Sequence, residues 1–87
     1  MDRPDIYVLS RILERLWRAQ SPMLKTRLQV ATNMNYDLLL RYLGWMAARG
    51  FVRFEISDGH DMVCLTQDGR ETYQKIVEVV NEVLRGG

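Results

Sequence analysis

Apolar and polar positions alternate along the chain with two different periods. Ile6, Leu9, Leu13, Leu16 and Trp17 recur at helical spacing, with Ile12 beside them, while Arg11, Glu14, Arg15 and Arg18 take the other face. This pattern predicts a helix over about 5–19. Pro4 suits its start, and Asp2 or Asp5 lies near its positive end. Ser21-Pro22 marks a break, with Ser21 as N-cap and Pro22 at the first helical position. Met23, Leu24, Leu28 and Val30-Ala31 then predict a short second helix over about 23–31. Thr32-Asn33-Met34-Asn35 is a tight connector in which Met34 plugs the turn.

The organising stretch follows, from Asn33 to Val52. At 100° per residue, Tyr36, Leu39, Leu40, Leu43, Met46 and Ala47 fall on one side, and Leu38, Tyr42 and Trp45 form a second apolar flank. A narrow stripe of Asp37, Arg41, Gly44 and Ala48 stays free. Asn33 or Asn35 caps the start of this helix, and Gly50 takes the left-handed position that ends it. The period then changes to two. Val52, Phe54 and Ile56 alternate with Arg53 and Glu55, Asp58-Gly59 signals a two-residue hairpin turn, and Met62 to Thr66 returns as the partner strand. With that loop, Val52 pairs with Leu65 and Phe54 with Val63. Thr66 caps a last helix, Asp68 lies in its first turn, and Gly69 allows close packing. Tyr73, Ile76, Val77, Val80, Val83 and Leu84 form an a/d-like stripe that Val79 widens, and Gly86-Gly87 closes it.

The expected architecture is mainly α with a small β-hairpin: three helices, a hairpin wing and a C-terminal helix. Residues 1–66 make a winged helix-turn-helix domain and residues 67–87 a dimerisation helix. Two helices joined by about four residues, the second amphipathic and capped by Asn, is the helix-turn-helix pattern. In that motif the second helix enters the DNA major groove by its N-terminal residues.

Composition narrows the classes. The chain has 87 residues, 47% of them apolar and 26% charged, which fits one globular domain with a modest core. No run of about 18 apolar residues suggests a membrane span. The charged start MDRPD lacks the apolar core of a secretory signal. A single Cys64 excludes an intrachain disulfide and suits a reducing cytoplasm. Net charge is only +1, but residues 1–53 carry nine Lys/Arg against four acids, and residues 54–87 carry three against seven. The basic half holds the organising helix, and this asymmetry points to a polyanion partner for that half.

Two segments resemble a known family. Residues 65–71, LTQDGRE, are similar to the Leu-Thr-x-x-Gly-Arg-Glu segment leading from the wing into the last helix of many prokaryotic winged-helix regulators. Tyr36-x-x-Leu39-x-x-Tyr42-Leu43 with Arg49-Gly50-Phe51-Val52 resembles the recognition helix and its exit in small, mainly archaeal winged-helix proteins. The resemblance covers about residues 6–80. It implies a DNA-binding regulator or nucleoid-associated protein that dimerises through its C-terminal helix.

Candidate chemistry is confined to binding. One His, one Cys and no Gly-rich phosphate loop argue against an enzyme. His60 in the wing turn, with Asp58 and Asp61, lacks the ligands that would complete a metal site, and neither metal nor cofactor is expected. Arg41 is placed to reach guanine or a phosphate, and Asn33 and Asn35 to reach adenine or a phosphate oxygen. Asp37, also in the candidate DNA-binding set, would repel phosphate unless it accepts from a cytosine amino group, and Leu38 is apolar where a direct reader is often polar. Lys25, Thr26 and Arg27 on the preceding helix, and Arg53 at the base of the wing, are positioning contacts. Tyr73, Ile76, Val77, Val80, Val83 and Leu84 are expected to pair two copies. The expected partner is double-stranded DNA, bound by a cytoplasmic homodimer that is nucleoid-associated if it binds DNA. The acidic wing tip, Ser57 to Asp61, leaves open a second reading: a winged helix turned to protein binding.

Overall fold

The computed structural model describes residues 3–86. The elements are α1 (Ile6–Ala19), β1 (Met23–Leu24), α2 (Lys25–Thr32), α3 (Tyr36–Ala48), β2 (Val52–Ser57), β3 (His60–Leu65) and α4 (Gln67–Gly86). Asp2 and Gly87, read above at the two ends of the fold, lie outside the described residues.

Asp5 caps α1, its carboxylate accepting the Tyr7 N–H at 2.8 Å. Leu9, Ile12, Leu13 and Leu16 turn inward from this helix and meet Leu28, Leu39, Leu43, Met46, Val52 and Val63 in one core. The second helix begins later than its pattern suggested. Met23 and Leu24 stay extended because they pair antiparallel with β3, Met23 opposite Val63 and Leu24 opposite Met62. Leu24 therefore occupies the N-cap of α2 without a side-chain bond. Ser21 is not the cap; its hydroxyl donates to the Ala19 carbonyl at 3.1 Å.

The connector works as a helix end followed by a helix start. Asn33 terminates α2 in the left-handed region, at φ 54°. Asn35 caps α3, its Oδ1 accepting the Leu38 N–H at 3.2 Å. Met34 between them is buried in the core. The buried face of α3 comprises Leu39, Tyr42, Leu43 and Met46. It is rotated toward Tyr42, whose hydroxyl accepts the Asp5 N–H at 2.9 Å. Leu40, expected on the packed side, is consequently 37% exposed. At the far end Gly50, at φ +79°, lets its N–H reach the Ala47 carbonyl while the Phe51 N–H reaches that of Met46. These two bonds satisfy the last carbonyls of the helix.

The hairpin has the expected register, Val52 opposite Leu65 and Phe54 opposite Val63. Asp58 and Gly59 both have positive φ, 52° and 77°, as a two-residue turn matched to strand twist requires. Pairing runs to the turn, Ser57 opposite His60, so β3 begins two residues before the expected Met62. With β1 the sheet has three strands in the order β1-β3-β2.

Thr66 starts α4. Its hydroxyl accepts the Gly69 N–H at 3.0 Å and donates to the Gly50 carbonyl. Gly69 lies so close to Phe51 that a β-carbon there would overlap the Phe51 carbonyl oxygen and the Leu65 side chain. The first half of α4 packs on α1, with the Trp17 and Tyr73 ring centroids 5.3 Å apart and Ile76 against the core. From Val77 onward the helix is exposed.

Candidate nucleic-acid interface

Capping at Asn35 and the closed turn at Met34 hold the start of α3 beside the end of α2. Asn33, Asn35, Asp37, Leu38 and Arg41 are all exposed there, as are Gly44 and Ala48 further along α3 and Thr26 and Arg27 in the first turn of α2. Leu38 keeps 38% of its surface open, so an apolar patch stands between Asp37 and Arg41. Arg27, Asp37 and Arg41 make no ion pair among the described residues. The α3 stripe thus presents one free acid and, a helical turn later, one free guanidinium.

The other two cations expected at the interface are engaged within the protein. Lys25 is partly buried, its ammonium 4.7 Å from the centroid of the Phe54 ring and 4.0 Å from the Asp61 carboxylate. Arg53 donates to Glu55 at 2.9 Å on the same strand. That hydrogen bond raises the Arg53 pKa and lowers that of Glu55. Both side chains are open to solvent, which screens the pair.

Arg11 is exposed on the polar face of α1. Its Nη1 donates to the Thr32 carbonyl at 3.0 Å, satisfying the end of α2 and bringing a guanidinium to the turn beside Asn33. The partner is 21 residues away, so no local pattern reveals the contact. Arg49 is another cation outside the expected set, lying 4.6 Å over the Trp45 ring at the exit of α3.

On the wing, Phe54 and Ile56 leave an apolar face open, Ile56 at 75% exposure. His60, Asp58 and Asp61 are exposed at its tip. Among the described residues, no group of three or more His, Cys, Asp or Glu side chains is placed to hold a metal ion. Cys64 is buried in β3, and burial pushes its thiol pKa up, with the hydrogen bond it donates to Glu55 acting in the same direction. No described helix is long and apolar enough to cross a membrane.

A second surface lies along α4. Of the expected dimerisation residues, Tyr73 and Ile76 are partly taken up by α1 and the core, whereas Val77, Val80, Val83 and Leu84 are exposed, Leu84 at 77%. Ile6 and Tyr7 at the start of α1 join Ile76, Val79 and Val80 in an apolar groove, which periodicity alone did not connect to α4.

Comparison with solved structures shows the same fold. The chain is similar to F93 from STIV, described as a winged-helix DNA-binding protein, at 16% identity and a TM-score of 0.85, covering 93% of this chain and 95% of that one. It is also similar to the DNA-binding protein Sso10a-2 of Sulfolobus solfataricus, at 15% identity and a TM-score of 0.71, covering 97% and 88%. With the transcriptional regulator BldR of the same organism it shares 18% identity and a TM-score of 0.79 over 92% of this chain and 58% of that one. No curated protein matches its sequence. The winged helix-turn-helix family profile matches residues 3–83, and the chain belongs to that family.

Proposed function

We propose that this protein binds double-stranded DNA as a homodimer and acts as a transcriptional regulator, with α3 as the helix that enters the major groove. The observation carrying this reading is the exposed Asp37–Leu38–Arg41 face on a helix capped at one end and locked by its glycine exit at the other. Thr26 and Arg27 are exposed in the first turn of α2, and Asn33 and Asn35 stand at the turn. Gly44 and Ala48 leave room for close approach of a backbone. Similar fold in proteins described as DNA-binding adds support. Arg11 lies outside the helix stripe as a phosphate contact, and such contacts set affinity and register, not sequence.

Pairing of two copies through α4 accounts for apolar surface that one copy leaves uncovered. Val80, Val83 and Leu84, with Ile6 and Tyr7 of α1, would be the buried set. A two-fold dimer presents two recognition helices to a palindromic site whose half-sites lie about 34 Å apart or a multiple of that. Such a protein would work in the cytoplasm, at the nucleoid.

The direct test substitutes Arg27→Ala and Arg41→Ala singly and measures binding to a labelled duplex. The reading expects weakened binding with an unchanged thermal midpoint, because neither side chain holds the fold. Unchanged affinity in both variants would overturn the assignment of this face. One observation favours a second reading as a protein-binding module: the wing carries Asp58 and Asp61 at its tip, and its acids engage Lys25 and Arg53. That reading expects no DNA binding at any salt concentration and capture of a protein partner through the Asp37–Arg41 face.

A further inference from the structure

We infer that Asp37 is the specificity-determining residue of the recognition helix: it weakens binding to DNA in general and favours sites offering a cytosine amino group within about two base-pair steps of the guanine read by Arg41. The inference rests on the DNA-binding reading above.

Asp37 lies in the first turn of α3, the end a major-groove helix inserts first. It is exposed and makes no hydrogen bond or ion pair among the described residues. The helix N-terminus is a position that favours an acidic side chain. A carboxylate there faces two strands of phosphates with no cation of its own. At a random sequence it therefore meets repulsion and loses water without compensation. In the major groove, exocyclic amino donors reverse that cost. The adenine amino group stands beside the N7 acceptor, which repels a carboxylate, whereas the cytosine N4 amino group has no acceptor on that side. Cytosine is thus the base that satisfies Asp37.

Arg41 lies four residues on, on the same face and about 6 Å further along the axis. It is also unpaired among the described residues. A guanidinium there addresses guanine O6 and N7, within about two base-pair steps of the cytosine. Leu38 between them fits a thymine methyl group or excludes water from the two polar contacts. The neutralised wing reinforces the filter. With Lys25 and Arg53 engaged by Asp61 and Glu55, the wing and its contact with α2 add little free positive charge to offset the Asp37 penalty at non-cognate DNA.

The test compares wild type, Asp37→Ala and Asp37→Glu on a random-sequence duplex and on the site each selects from a random pool. Asp37→Ala is expected to bind the random duplex about threefold more tightly or better, while losing its cytosine preference and about five- to a hundredfold of its discrimination. Asp37→Glu keeps the charge and is expected to keep the weak random-duplex binding. Circular-dichroism melts establish that each variant is folded. If Asp37→Ala binds random DNA no better than wild type, or selects the same site with the same discrimination, the inference is overturned while the DNA-binding reading stands. If wild type binds no duplex, that reading itself fails.

Discussion

The Lys25 ammonium stands 4.7 Å above the Phe54 ring and 4.0 Å from the Asp61 carboxylate, so the first residue of α2 is tied to both strands of the wing. The contact joins the helix-turn-helix to the hairpin and sets a carboxylate beside the positive charge that α2 would otherwise offer a phosphate. Lys25→Ala is therefore expected to cost about 0.5–1 kcal/mol of stability and to weaken DNA binding less than Arg27→Ala does. Thermal melts and duplex titrations of the two variants check this; equal affinity losses at unchanged stability would make Lys25 a plain phosphate contact.

Gly69 and Phe51 set the angle at which α4 leaves the wing. Alanine at position 69 would force its β-carbon into the Phe51 carbonyl, an oxygen that already accepts the Thr66 N–H at 3.1 Å. Gly69→Ala is expected to destabilise the fold by about 1–3 kcal/mol, lowering the thermal midpoint by roughly 4–8 °C per kcal/mol. A wild-type melting curve would show that the backbone yields there freely.

Local signals explain which features could be read in advance. Asp58-Gly59 fixes a two-residue loop, and the loop fixes the hairpin register, so Val52–Leu65 and Phe54–Val63 followed from sequence. Likewise Asn35, Gly50 and Thr66 act on neighbours within a few residues. The misreadings concern contacts between distant positions. Ser21-Pro22 has the look of a helix start, but β3, some forty residues further along, holds Met23 and Leu24 extended. Leu40 and Tyr42 lie on different flanks of α3, and the helix is turned with Tyr42 inward, its hydroxyl accepting the N–H of the distant Asp5. At the candidate interface, the exposed stripe of α3 was legible from its period. The partners that engage Lys25 and the link from Arg11 to Thr32 were not, because both cross between elements.

Tyr42 joins the start of α1 to the middle of α3 through its hydroxyl. Tyr42→Phe keeps the packed ring and leaves the Asp5 N–H without this acceptor. The expected loss is about 0.5–1.5 kcal/mol, read as a shift in chemical denaturation midpoint with an unchanged slope. A neutral substitution would mean that water replaces the hydroxyl there at no cost.

Val83 and Leu84 are 68% and 77% exposed on one copy. In the proposed dimer, Val83→Asp with Leu84→Asp is expected to give a folded monomer by sedimentation equilibrium, with DNA affinity reduced well beyond the effect of one charge, since two linked sites bind more tightly than one. A wild-type chain that sediments as a monomer at micromolar concentration would remove α4 as the dimer element.

Alkaline pH should weaken the fold. Burial raises the Cys64 thiol pKa, and burial followed by the nearby Glu14 charge raises that of the Tyr73 phenol. Each group keeps its proton more tightly in the folded chain than in the unfolded one. Their contribution is full below the ordinary thiol and phenol pKa values, about 8.5 and 10, and is lost as pH climbs through the raised folded values. Cys64→Ala should flatten the first part of that decline in melts taken from neutral pH upward. The native thiol should also react with a disulfide reagent only as the chain unfolds; rapid labelling at neutral pH would contradict its burial.

The most direct measurement is fluorescence anisotropy of a labelled random-sequence duplex titrated with the wild-type protein at low and then moderate salt. The account expects saturable binding at low salt that weakens as salt rises, as release of counterions from the phosphates requires. No binding at low salt by protein shown to be folded would contradict it.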